Sequence, residues 1–255
     1  MMTNKEIFTA ALRQSAIDSG CEPEDFLKNE PVVVRAGIHP EARRYLRQPL
    51  FLDLTSYGSN IVASCAPEIA EFAKTYIDRP DIEHCIETPA LYDLNVGLAK
   101  YGHRVLYQAE YWLPDVDALA DAAKKNRCPL PTKLLEPPAF DALYLPAWSN
   151  ALCEARRELD VLGIGAYDGG KLVGFAACSA DCDSMWQIGI DVLPDYRRQG
   201  IAKALVTRLA CEILARDKVP FYCCAWANVK SARCASASGF RPAWMTITAK
   251  PVTEG

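Results

Sequence analysis

From residue 161 onward the apolar positions fall into two regular periods. Segments 161–167 and 172–178 read as β-branched and apolar strands around Asp168-Gly169-Gly170, the glycines that a tight hairpin turn demands. Segment 186–192 is a third strand, closed by Pro194. In 200–217 the period changes: Ile201, Leu205, Leu209 and Ile213 recur every fourth residue beside Val206, Ala210 and Leu214, which predicts a helix with a broad buried face. A strand at 221–227, a short helix at 229–238 and a last strand at 240–249 complete the order β-β-β-α-β-α-β. That order is a mixed-sheet α/β layer with helices to cover the sheet.

The first hundred residues pattern less sharply. Ile7, Phe8, Leu12 and Ile17 predict an amphipathic helix over 3–19, stopped by Gly20. Val32-Val33-Val34 reads as a strand, and 50–54 with 61–64 as a hairpin about Tyr57-Gly58-Ser59-Asn60. Helices are expected at 67–78 and 89–101, the second with Thr88 as N-cap, Pro89 in the first helical position and Gly102 past its end. A strand over 104–113 ends at Pro114. The stretch 124–146, with Pro129, Pro131, Pro137, Pro138 and Pro146, reads as an irregular connection, although Leu134, Leu135, Phe140, Leu143 and Tyr144 are too apolar for a solvated linker. A helix is expected around 147–159. The expected division is a smaller N-terminal accessory α/β domain over 1–103, without a motif, and a mixed-sheet domain over 104–255.

Composition narrows the function classes. Half of the 255 residues are apolar and 24% are charged, so a packed core is affordable and disorder is not the dominant state. Lys plus Arg number 28 against 32 Asp plus Glu, a net charge of −4, which gives no basic excess for a run of phosphates; nucleic acid is not an expected partner. The start Met1-Met2-Thr3-Asn4-Lys5-Glu6 lacks the flank of a secretory signal, and no segment has the length of apolar sequence that spans a bilayer. The expectation is a cytoplasmic protein without membrane contact. The eleven cysteines then read as reduced, mostly buried thiols. Cys178-x-x-x-Cys182 and Cys223-Cys224 lack paired zinc spacing and His39, His84 and His103 are scattered, so no metal is expected.

Candidate chemistry concentrates where the third strand meets the long helix, at Val192-Leu193-Pro194-Asp195-Tyr196-Arg197-Arg198-Gln199-Gly200-Ile201-Ala202-Lys203. A strand end, a short loop and a helix N-terminus gather unpaired N–H groups at the positive end of a helix dipole, a setting for an anion. Gly200 and Ala202 are small enough for a phosphate to approach, and Arg197, Arg198 and Lys203 outnumber Asp191 and Asp195. The plainer reading is that Gly200 eases a turn and the arginines are solvated. No G-x-x-x-x-G-K-[ST] occurs, and no G-x-G-x-x-G follows a strand, which disfavours P-loop and dinucleotide proteins.

Arg197-x-x-Gly200-x-Ala202 resembles the (Arg or Gln)-x-x-Gly-x-(Gly or Ala) signature of the GNAT superfamily of acyl-CoA-dependent N-acyltransferases, at the same strand-to-helix junction. Asn228-Val229-Lys230-Ser231 followed by Gly239-Phe240 resembles the superfamily's later strand, helix and Gly-Phe turn. The resemblance spans roughly 104–255 by element order and is specific over 186–240.

It implies that the pantetheine arm of acetyl-CoA, or of another acyl-CoA, hydrogen-bonds to the backbone of Ile190 and Val192. The pyrophosphate would rest on Arg197, Arg198, Gln199, Gly200, Ile201 and Ala202, with Asn228 and Ser231 helping to hold the cofactor. Lys230 and Arg233 are candidate phosphate contacts whose plainer reading is exposed helix charge. The implied activity is transfer of an acetyl group to a primary amine of a small molecule or peptide, by direct attack in a ternary complex. A homodimer is compatible with it.

Catalytic residues stay unassigned. The position seven residues after the asparagine, where many members carry a tyrosine, is Ala235. Cys234, Ser236 and Tyr222 lie near it in sequence. On strand 186–192 the polar residues are Gln187, which is no base, and Asp191, which has a solvent-facing reading. Glu110 and the aromatics Tyr107, Tyr111, Trp112, Tyr144 and Trp148 are candidates for an acceptor cleft, with ordinary core packing as the alternative. Loss of the helix tyrosine keeps a second function class open: a non-catalytic acyl-CoA-binding sensor or assembly module.

Overall fold

The computed structural model describes residues 2–78 and 82–253. It divides into two compact units, Met1–Ala10 with Trp112–Pro242 and Ala11–Tyr111 with Ala243–Gly255. The boundaries fall inside the first helix, α1 (Asn4–Ser19), and inside two long strands, β4 (His103–Pro114) and β10 (Phe240–Pro251).

The unit that ends at Pro242 contains the sharply patterned region. Its strands are β5 (Thr132–Leu135), β6 (Asp160–Asp168), β7 (Lys171–Ser179), β8 (Met185–Val192) and β9 (Val219–Ala225). β5, β6, β7 and β8 pair antiparallel in succession, and β8 pairs parallel with β9. The Gly169-Gly170 turn between β6 and β7 has positive φ at both glycines, as a two-residue hairpin requires. One face of this sheet is covered by α5 (Ile201–Leu214), whose Ile201, Leu205, Leu209 and Ile213 are buried with Ile164, Val173, Ala176 and Ile188. The other face is covered by the chain around 140–152, where Phe140, Trp148, Ala151 and Leu152 pack on Phe175 and Ala177. Two further helices belong to the unit, α4 (Val116–Lys125) and α6 (Val229–Ala237).

In the other unit β1 (Val32–Arg35), β3 (Val62–Cys65), β2 (Leu52–Ser56) and β10 are neighbours in that order. The β2–β3 hairpin is where the sequence puts it. Leu52, Leu54, Ala63 and Ile247 pack with Ile69, Ala73 and Ile77 around α2 (Ala70–Ile77) and with Leu94 and Leu98 of α3 (Ala90–Ala99).

Three expectations are corrected. The stretch 124–146 is not wholly irregular, because it contains β5, an edge strand on β6; residues 116–125 just before it form α4, with Asp115 as N-cap accepting the Ala118 N–H at 2.8 Å. No α-helix runs over 147–159: short 3₁₀ turns at Pro146–Trp148 and Glu154–Leu159 stand there instead. The physical reason is competition for donors. Asp191 accepts the N–H groups of Asn150 and Ala151, and Asp160 accepts that of Cys153 at 3.0 Å, so these amides are held by carboxylates from elsewhere in the chain. Finally, α3 begins one residue later than expected: Pro89 is its N-cap and no side chain caps it.

All eleven cysteines are free thiols. No described helix is long and apolar enough to cross a membrane.

Candidate cofactor site

The parting of β8 and β9 defines the site. Their registered pairing ends at Ile188↔Tyr222, while β8 runs on to Val192 and β9 to Ala225. On its other edge β8 stays paired with β7 through Val192↔Gly174. Leu193 N–H donates to Val173 O at 2.9 Å, which sets the alternation along the ladder: the amides of 193, 191 and 189 face β7, and those of Ile190 and Val192 face the opposite edge. Beyond Ile188 that edge has no registered partner on β9. The two residues singled out in sequence for backbone hydrogen bonding are therefore the two whose amides lie on the open edge.

The chain then turns through Pro194–Tyr196 into α5. Gly200, the N-cap, has φ +83, in the left-handed region. A Cβ built there would meet only the flexible Lys203 side chain, with Cε at 3.3 Å, so glycine is needed chiefly for backbone conformation and secondarily for open approach. Arg198 is also left-handed, at φ 64. The first intrahelical bond of α5 runs from Ala204 N–H to Gly200 O at 3.2 Å, which leaves the N–H groups of Ile201, Ala202 and Lys203 without acceptors in the helix. No side chain caps them.

The polar side chains of the loop divide in their engagement. Arg197 folds back and its Nε donates to Val192 O at 2.9 Å, tying the loop to the strand end. Gln199 Nε2 donates to Asp195 O at 3.2 Å. Tyr196 OH donates to Asp168 Oδ2 at 2.8 Å, so one of the nearby carboxylates is already engaged. Arg198 and Lys203 are exposed, and the Ile201 side chain is buried in the core below. Cationic side chains and unpaired amides thus surround one turn of main chain, an arrangement that attracts an anion.

Asn228 and Ser231 stand at the far side of the parted strands. Asn228 is the N-cap of α6, its Oδ1 accepting the Ser231 N–H at 3.2 Å. The Ser231 hydroxyl lies 2.7 Å from the hydroxyl of Tyr222, whose phenol is buried and pushed up by that burial first and by the neighbouring Cys234 second. Ala235 is fully buried in the core. Lys230 and Arg233 are exposed on α6.

The solvent-facing reading of Asp191 does not hold. Its carboxylate accepts Asn150 N–H at 2.8 Å, Asn150 Nδ2–H at 2.6 Å and Ala151 N–H at 3.0 Å. It fastens the 148–151 turn across β8, where Asn150 O lies 1.8 Å from the position a Cβ on Gly189 would take. Sequence reasoning missed this because the partner lies 41 residues upstream. Among the aromatics, core packing wins for Tyr111, stacked on Trp244 at 4.7 Å, and for Trp148, edge-on to Phe175 at 6.3 Å. Trp112 is also buried, and Tyr144 holds Asp160 through its hydroxyl at 3.2 Å; Tyr107 is exposed.

The acetyltransferase (GNAT) family model matches residues 130–240. Among solved structures, a GCN5-related N-acetyltransferase-like protein of Streptococcus suis is 22% identical over 63% of this chain and 68% of its own, with a TM-score of 0.45. An acetyltransferase from the GNAT family of Novosphingobium aromaticivorans is 18% identical; the match covers 58% of this chain and 66% of that one, with a TM-score of 0.43. An aminoglycoside N-acetyltransferase in complex with CoA is 21% identical over 44% of this chain and 88% of its own, at a TM-score of 0.36. No curated protein matches the chain.

Proposed function

We propose, from the match of residues 130–240 to the acetyltransferase (GNAT) family model, that the protein is an N-acyltransferase that takes acetyl-CoA as donor and a primary amine of a small molecule or peptide as acceptor, acting in the cytoplasm. One observation carries the reading: the open amide edge of β8 at Ile190 and Val192 leads directly into the unpaired N–H groups of Ile201, Ala202 and Lys203. The strand edge suits the amides of the pantetheine arm, and the helix start suits the diphosphate. Arg198 and Lys203 supply the local positive charge that the net −4 of the chain does not.

In this reading the neutral amine attacks the thioester carbonyl directly in a ternary complex: the C–N bond forms, the C–S bond breaks, and the proton lost by the amine passes through solvent to the departing CoA thiolate. A main-chain N–H near Val192 stabilises the oxyanion as it forms, since a fixed donor in a water-poor site costs no reorganisation during the reaction. The chain supplies no carboxylate base on β8, because Asp191 is committed to the 148–151 turn and Gln187 cannot take a proton.

Ala235, buried where a tyrosine was sought, favours one second reading, an acyl-CoA-binding module without turnover. Release of free CoA thiol from acetyl-CoA, measured against polyamines, aminoglycosides, amino acids and peptide N-termini, separates the two. Amine-dependent thiol release from at least one class is expected. Acetyl-CoA binding with no release above buffer from any class would establish the module instead.

A further inference from the structure

Tyr222 occupies the last registered position between β8 and β9, opposite Ile188, at the vertex from which the two strands part. Its ring is 3% exposed and packs tilted against Phe240, with centroids 6.3 Å apart. From there its hydroxyl reaches Ser231 Oγ at 2.7 Å, in the first turn of α6. Ser231 itself is only half-buried, and its N–H is held by Asn228 Oδ1. The contact therefore joins a hidden phenol to a hydroxyl that still borders solvent.

The direction of that hydrogen bond follows from acid strength. A phenol is a far better donor than an aliphatic alcohol, and burial holds this one protonated. Tyr222 OH is therefore the donor and Ser231 Oγ the acceptor of this 2.7 Å contact. With that lone pair occupied, the proton of Ser231 is turned away from Tyr222, and accepting one hydrogen bond makes the serine a stronger donor in the next. Without the phenol nothing fixes the direction in which the Ser231 hydroxyl turns.

We infer that Tyr222 is a positioning residue for the acyl-CoA arm: by donating to Ser231 it turns the serine proton into the opening between β8 and β9, where a carbonyl oxygen of the pantetheine accepts it. This rests on the function proposed above and adds to it a residue on β9 that acts on the cofactor only through its neighbour.

Calorimetric titration of the full chain with CoA tests it, using wild type, Tyr222→Phe, Ser231→Ala, the double variant and Ser231→Thr. Tyr222→Phe keeps the ring and its packing, and weakens CoA binding by about 3- to 10-fold, the usual weight of one hydrogen bond. Ser231→Ala weakens it similarly, the double variant is no weaker than Ser231→Ala alone, and Ser231→Thr, which keeps a hydroxyl, binds as wild type does. The KM for the amine acceptor stays unchanged in all four. A purely structural bond between β9 and α6 would lower the melting temperature of Tyr222→Phe while leaving its CoA affinity within twofold of wild type, and that result overturns the inference, as would additive losses in the double variant. Failure of wild type to bind CoA overturns the proposed function itself, so the two failures are distinct.

Discussion

Gly200 links a backbone angle to a ligand. At φ +83 an L-residue is strained by roughly 1–2 kcal/mol, and the space around its Cβ is open except for the Lys203 side chain. Gly200→Ala is therefore expected to lower unfolding stability by about that amount while CoA still binds, more weakly. Gly200→Asp carries the same strain and adds a carboxylate at the anion position, so CoA binding is lost. Denaturant unfolding and CoA titration on both variants check this, and equal affinity in the two would remove the electrostatic argument. Asp191 is the second decisive residue. Asp191→Ala strips the acceptor from Asn150 and Ala151 and is expected to cost about 2 kcal/mol through release of the 148–151 turn. The midpoint of the pH dependence of kcat stays at its wild-type position. Disappearance of the acidic limb with unchanged stability would make Asp191 a base after all.

The elements that could be read in sequence are those whose signal is local. The β6–β7 hairpin carries its own turn glycines, and α5 carries an unbroken apolar stripe, so both need nothing from elsewhere in the chain. Ile190 and Val192 came from the family resemblance, and the edge of β8 that their amides face is set by its register with β7, which the sequence does not carry. What stayed hidden depends on distant partners. The pattern around 147–159 suits a helix, but Asp191 and Asp160 capture its amides, and no local window of sequence around residue 150 contains Asp191, which lies 41 residues away. The bond between Tyr222 and Ser231 was likewise hidden, because the two lie nine residues apart on a strand and a helix and only the fold brings their hydroxyls together. By contrast α4 was signalled locally, by Asp115 and the alanine-rich run behind it, and the neighbouring prolines obscured it. The same cross-strand packing yields a prediction for β8: Gly189→Ala drives its Cβ into Asn150 O, so the 148–151 turn is expected to lift. Limited proteolysis of this variant should cut within 148–152 faster than in wild type; identical cleavage would mean that the turn is not seated on β8.

At the scale of the whole molecule, each unit buries a carboxyl group that it does not neutralise. Asp160, in the unit that carries the cofactor site, is pushed up to about 6 by burial, partly offset by the Cys153 N–H and the Tyr144 hydroxyl. Asp53, in the other unit, is also pushed up to about 6 by burial, against the Thr248 and Thr55 hydroxyls that donate to it at 2.6 and 3.0 Å. A raised carboxyl binds its proton more tightly when folded, so its penalty is absent below about 4, grows as the pH rises through the folded value and is complete above it. Stability therefore falls between about pH 4 and pH 6 on account of Asp53. Asp53→Asn is expected to flatten that slope and to raise stability at pH 7 by up to roughly 3 kcal/mol, measured by denaturant unfolding at several pH values. An unchanged slope would mean that Asp53 ionises as freely as an exposed carboxyl.

The central claim concerns place: acyl-CoA is held by main-chain amides along the open edge of β8 and at the start of α5. Amide hydrogen exchange on the full chain, with and without saturating CoA, reads those groups one segment at a time. The account predicts that CoA slows exchange in peptides covering 190–192 and 198–203 and leaves β2 and β3 unchanged. Protection absent from both of those segments in the presence of bound CoA would contradict it.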